Sequence, residues 1–172
     1  MKVLLGGRPG IGKTTVAVRI AELLRRDGIP LAGFTTEEIR ERGRRVGFTV
    51  DTFDGARATL AHVDLPGPPR VGKYGVDVEA FERLALPALE HVPEGGIVVI
   101  DEIGKMELAS EAFRERALEL FDAPQPLVAT IQLARNPFTA RLKRRRDTEV
   151  VRVTERNRDD LPARLRTMLL YG

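Results

Sequence analysis

Eight residues near the start of the chain, Gly7-Arg8-Pro9-Gly10-Ile11-Gly12-Lys13-Thr14, fit the pattern G-x-x-x-x-G-K-[ST]. A loop of this pattern wraps a phosphate chain. Its glycines let backbone N–H groups curl inward around an anion, and the N-terminus of the following helix adds partial positive charge. Lys13 reaches toward the β- and γ-phosphates and the Thr14 hydroxyl can ligate Mg²⁺. With Thr15 the predicted phosphate site runs from Gly7 to Thr15. The second stretch with chemistry is Ile97-Val98-Val99-Ile100-Asp101-Glu102. β-Branched apolar residues running into an acid read as a buried strand that ends at a metal site. Asp101 is expected to hold Mg²⁺ through its water shell, and Glu102 to polarise an attacking water. The two stretches form a Walker A and Walker B pair, expected on two adjacent strand tips.

Charge building on a transferred phosphoryl group calls for a cation. Arg135, just past a strand end, and Arg144, Arg145 or Arg146 are the candidates for this role, with Arg135 set beside Lys13 and Glu102 for catalysis. The run Arg144-Arg145-Arg146 has three readings: a solvated helix face, a lid over the triphosphate, or a nucleic-acid contact. Thr130 and Gln132 flank the end of a central strand, where a polar side chain can sense the γ-phosphate or simply pack. Asn157-Arg158-Asp159-Asp160 faintly echoes the guanine-reading N-K-x-D segment, but helix capping by Asn157 and acids in a first turn explain it as well. His62 and His91 read as surface residues.

These residues need elements to position them. Val3-Leu4-Leu5 reads as a buried strand, and Val16, Ala17, Ile20, Ala21 and Leu24 have helical spacing, so the phosphate loop joins strand to helix. Leu31 to Arg40 and Val46 to Phe53 read as a β-hairpin, with another short strand over Ala58 to Val63. Leu65 to Gly75 is rich in Pro and Gly and is expected to lack regular structure. Asp77 reads as the N-cap of a helix through Leu89 that Pro87 kinks or ends early. Ser110 caps a helix carrying Phe113 and Phe121. Leu127 to Ile131 is a buried strand, and Asn136-Pro137 opens a helix reaching the basic run. Glu149 to Val153 is the last strand, before a helix from about Asn157 to Leu170. Alternating strands and helices predict an α/β fold, with a mainly parallel central sheet extended by the antiparallel hairpin and helices on both faces.

At 172 residues the chain is expected to be a single domain, residues 1–172. It is 42% apolar and 31% charged, without a run near membrane-span length or a signal-peptide layout at its start, so the cytoplasm is the expected compartment. The absence of cysteine excludes disulfides, thiol nucleophiles and thiolate metal sites, and two scattered histidines argue against a histidine metal site. A net charge of +3 argues against extensive nucleic-acid binding. A monomer binding nucleoside triphosphates, with Mg²⁺ as cofactor and no membrane or nucleic-acid partner, is the expectation.

Four stretches together resemble a known family. They are residues 7–15, Gly33-Phe34-Thr35-Thr36-Glu37-Glu38-Ile39-Arg40, Val71-Gly72-Lys73-Tyr74-Gly75-Val76-Asp77 and Val99-Ile100-Asp101-Glu102-Ile103-Gly104-Lys105-Met106-Glu107-Leu108. Val153-Thr154-Glu155-Arg156-Asn157-Arg158 also fits, so the likeness covers essentially the whole chain. The chain is similar to the small nucleoside-triphosphatases first described from thermophiles, the cancer-related nucleoside-triphosphatase family. The resemblance implies a RecA-like P-loop fold and slow, Mg²⁺-dependent hydrolysis of several nucleoside triphosphates to diphosphate and phosphate. It also implies phosphate and metal handling by Lys13 and Thr14, the metal shell at Asp101, Glu102 as base, and Lys105 as a nearby supporting group. Gln132 is a departure from the family pattern. A nucleotide or small-molecule kinase is the alternative enzyme, and a nucleotide-switched, RNA-associated module the alternative of another class.

Overall fold

A strand with apolar residues on both sides is stable only when helices cover both faces of its sheet. β1 (Lys2–Gly7) is buried along its whole length. In the computed structural model, which describes residues 1–172, β1 lies between two parallel neighbours, β8 (Leu127–Gln132) and β9 (Thr148–Arg152). The parallel half continues through β7 (Ile97–Ile103) to β2 (Leu31–Glu41). Beyond β2 the strands are antiparallel: β3 (Arg44–Thr52), β4 (Arg57–His62), then the short hairpin of β5 (Arg70–Val71) and β6 (Tyr74–Val76). The order across the mixed sheet is β5-β6-β4-β3-β2-β7-β8-β1-β9.

Side chains on successive strand residues point to opposite faces, and the two faces carry separate cores. Val3, Leu5, Val99 and Val128 pack under α1 (Lys13–Arg26) and α5 (Leu161–Tyr171). Leu4, Phe34, Ile100 and Ala129 pack under α2 (Val78–Glu90), α3 (Glu111–Asp122) and α4 (Pro137–Lys143). The second core centres on Phe34, Phe81 and Phe113, whose ring centroids lie 5.2 to 5.9 Å apart in edge and tilted packing. At the amino ends of the strands the Lys2 ammonium is buried and donates to the carbonyls of Leu120 and Gln125, both at 2.6 Å. Burial lowers its pKa to about 8. No helix is long and apolar enough to cross a membrane.

Four local expectations are corrected. Residues 65–75 are not all irregular: Arg70–Val71 and Tyr74–Val76 pair through Gly75, which extends the sheet by two strands. Pro87 does not end α2, because the buried face Ala80, Phe81, Ala85 and Leu89 holds the last turn in place. α5 begins at Leu161, not Asn157. The Asn157 side chain closes a turn instead, accepting from Thr154 N at 2.8 Å and donating to Arg152 O at 2.9 Å. Finally, the strands bearing the phosphate loop and the acid pair are not adjacent, since β8 stands between β1 and β7.

Phe113 is fully buried against two other rings. Phe113→Ala is expected to cost about 3–5 kcal/mol, read as a lower denaturant midpoint at unchanged slope. A loss below about 1 kcal/mol would show that the ring trio is not the centre of this core.

Candidate active site

The phosphate loop occupies the carboxyl end of β1, where ligands bind in parallel sheets. Gly12 has φ +107, in the left-handed region that a side chain resists, and it starts α1 directly. No side chain caps α1, whereas Asp77, Ser110 and Asn136 cap α2, α3 and α4 with their own oxygens. The first-turn N–H groups of α1 are therefore free of side-chain acceptors, as an anion site requires. Lys13 Nζ donates to the carbonyl of Gly7 at 3.2 Å and to that of Arg8 at 3.4 Å, arching over its own loop.

Asp101 has no exposed surface and no cationic partner, yet its carboxylate accepts four hydrogen bonds. Oδ1 accepts from Thr14 Oγ1 at 3.0 Å and from Thr130 Oγ1 at 2.6 Å. Oδ2 accepts from Thr36 Oγ1 at 3.2 Å and Thr36 N at 3.4 Å. Strand register brings these donors together. Phe34 pairs with Ile100, and Ile100 with Ala129, so Thr36 and Thr130 arrive beside Asp101 from either side of β7. Burial raises the Asp101 pKa, and the threonine donors oppose that shift.

Glu102 follows through a cis peptide bond. Its Oε1 accepts from Gln132 Nε2 at 2.8 Å. Burial raises its pKa too; the Gln132 donor lowers it, the Asp101 charge raises it, and the Lys13 ammonium lowers it. The Lys13 charge thus reaches Glu102, and Thr14 touches Asp101, despite the intervening strand. Gly104 packs tightly against the acids. A Cβ there would lie 2.6 Å from Glu102 Oε1, 3.0 Å from Glu107 Oε2 and 3.1 Å from Gln132 Nε2.

Arg135 and Lys105 line the same small depression beside Gln132, next to Asn136 and Thr139. The basic run lies elsewhere. Arg145 donates to Asp122 at 2.6 Å, to Asp147 at 2.9 Å and to Phe121 O at 2.9 Å. These partners precede β9 and end α3, so Arg145 braces the amino ends of the strands, opposite the phosphate loop. Neither a lid nor a transition-state role fits that place. His91 is exposed, but His62 is half-buried and its Nδ1 accepts from Asp64 N at 3.2 Å.

The family model described as NTPase matches residues 2–166. The chain belongs to the NTPase family. The nucleoside-triphosphatase THEP1 of Thermotoga sp. (strain RQ2) is 42% identical over 173 residues, covering 100% of this chain and 97% of that protein. The cancer-related nucleoside-triphosphatase of Homo sapiens is 41% identical, covering 92% of this chain and 91% of that protein. The crystal structure of THEP1 from the hyperthermophile Aquifex aeolicus superposes with a TM-score of 0.88 at 33% identity, covering 98% of this chain and 99% of that one. The α/β P-loop fold is therefore shown by sequence and structure alike, and the enzyme is an NTPase by family.

Two groups in this candidate site have no role assigned by the sequence reading. Thr36 sits in the middle of an ordinary-looking hairpin strand, and only register brings it to Asp101. Glu107 is placed by a 3-10 turn, Glu107–Ala109, that brings it back to Gly104. It is almost fully buried and accepts one hydrogen bond, from Gly104 N at 3.2 Å. Burial, then the charges of Glu102 and Asp101, push its carboxyl well above the ordinary 4.5.

That shift has a sign in stability. The folded state keeps a proton on Glu107 that the unfolded chain has released above a pH of about 4.3, so raising the pH costs folded-state stability. Glu107→Gln cannot ionise. Melted without divalent cations, the variant is expected to gain on the parent protein as the pH rises through and above about 4.3. A melting difference that stays constant over this range would mean that Glu107 ionises in the fold as freely as in water.

Proposed function

We propose that this member of the family hydrolyses nucleoside triphosphates to diphosphate and phosphate in an Mg²⁺-dependent reaction, acting as one domain over residues 1–172. One observation supports this most: the Thr14 hydroxyl meets the Asp101 carboxylate at 3.0 Å, which joins the phosphate loop to the acid pair. These are hard oxygen donors, the kind Mg²⁺ takes, and Mg²⁺ usually keeps waters and phosphate oxygens in its other positions. No cluster of three or more acidic, histidine or cysteine side chains forms a full metal cage. Thr14 and Asp101 would hold the ion, which would supply charge neutralisation to the phosphate chain.

The chain's own groups do the rest. The Gly7–Thr15 loop and the α1 N-terminus hold the phosphates, and Lys13 neutralises them. Glu102, aimed by Gln132, orients the attacking water and takes its proton; a carboxyl raised by burial is a better base than a free one. Gln132 thus acts as a positioning residue. Arg135 is the candidate for stabilising the transition state, with Lys105 beside it. No guanidinium touches Asp101 or Glu102, and this supports slow turnover, since an arginine at the phosphoryl group is worth about 10³–10⁵ in rate. No base-reading group is among these residues, which supports broad use of triphosphates. A cytoplasmic monomer without a nucleic-acid partner completes the reading.

Phosphate release from ATP, GTP, CTP and UTP, with and without Mg²⁺, tests the activity. Adding nucleoside monophosphates as acceptors separates hydrolysis from phosphoryl transfer. Glu102→Gln is expected to lower kcat about 10²–10⁴-fold while nucleotide binding persists. A variant that turns over at the parent rate would remove Glu102 from the base role.

A further inference from the structure

The parallel strands run β7-β8-β1-β9, and the acid pair and the phosphate loop use only the β7-to-β1 side. A triphosphate with its terminal phosphoryl at Glu102 and its β-phosphate in the loop must carry its nucleoside the other way, toward the turn that follows β9. That turn, residues 153–160, is built onto the end of β1 and the phosphate loop at three points. Val153 N donates to Gly6 O at 2.7 Å. The Arg8 guanidinium pairs with Glu155. Arg158 Nη1 donates to Ile11 O at 3.3 Å, and Arg158 Cδ lies 3.8 Å from where a side chain on Gly12 would begin. Arg158 is otherwise exposed.

Two groups in this turn able to read the edge of a base are already engaged. The Asn157 amide uses its oxygen on Thr154 N and its nitrogen on Arg152 O. Asp159 pairs with Arg19 at 3.7 Å. The guanidinium of this turn that is held against the phosphate loop is the flat, exposed one of Arg158, tethered at one nitrogen. Such a plane stacks on an aromatic ring with a cation–π contribution. Stacking tolerates any base, because each has a π face.

We infer that Arg158 forms a nucleoside subsite: it stacks on the base of a bound nucleoside di- or triphosphate and reads none of its edges. The inference rests on the proposed orientation of the triphosphate. Calorimetric titration of the full chain with Mg²⁺ and ADP, GDP, CDP, UDP or pyrophosphate tests it without using turnover. Arg158→Ala is expected to weaken all four nucleoside diphosphates about tenfold and to leave pyrophosphate within about twofold. Arg158→Lys keeps the charge but not the plane, and is expected to weaken them similarly. Equal weakening of pyrophosphate would make Arg158 a prop of the phosphate loop and overturn the inference, as would unchanged diphosphate affinity or a loss confined to one base. A parent protein that binds pyrophosphate as tightly as the diphosphates would also overturn it, while leaving the phosphate site standing. Diphosphate binding that depends on Arg158 in a protein that hydrolyses nothing would uphold the subsite and sink the hydrolase reading.

Discussion

A carboxylate sealed from water and touched by no cation is costly, and Asp101 is one. Its cost is offset by hydroxyl and amide donors from Thr14, Thr36 and Thr130. Each donor comes from a different element: the head of α1, β2, and β8. Register in two parallel ladders has to be correct for all of them to converge, so the anion acts as a keystone for the carboxyl end of the sheet. Even so, desolvation outweighs the donors and the carboxyl stays harder to ionise than in water. A cation of high charge density is the group that would relieve this most. The same local field reaches Glu102 and Glu107, each raised mainly by burial and further by neighbouring charge.

The two ends of the parallel strands have opposite characters. At the carboxyl ends lie an uncapped helix, a raised carboxyl pair and an exposed arginine. At the amino ends Lys2 and Arg145 are both matched. Lys2 is held by two carbonyls, and Arg145 is held by Asp122, Asp147 and a carbonyl. Reactivity and bracing are thereby segregated. The basic run was open to three readings as sequence because a string of arginines carries no sign of which end of the sheet it meets. It precedes β9, a strand parallel to β1, and that direction alone puts it far from the phosphates.

Much of this was legible before any coordinates. Gly7–Thr14 and Ile97–Glu102 announce themselves because their chemistry is local: a turn, a helix start, a buried strand that ends in acids. The alternation of strands and helices, and the hairpin beyond β2, follow from short-range periodicity in the same way. What was not legible depends on pairing between distant segments. The intervention of β8 between β1 and β7 is a matter of sheet order, which no spacing encodes. Thr36 and Gln132 acquire their partners only through register, and Glu107 only through a 3-10 turn. Asn157 looks like a helix cap in sequence, yet its amide is consumed in closing the turn after β9.

The coupling of the phosphate loop to Asp101 through a shared cation is the claim on which the rest stands. Calorimetry of ADP binding with and without Mg²⁺, in the parent protein and in Asp101→Asn, measures it directly. Mg²⁺ is expected to tighten ADP binding in the parent protein, and Asp101→Asn to abolish that gain while leaving the Mg²⁺-free affinity in place. A gain of equal size in the variant would contradict the account, because the loop would then hold its metal and nucleotide without the buried carboxylate.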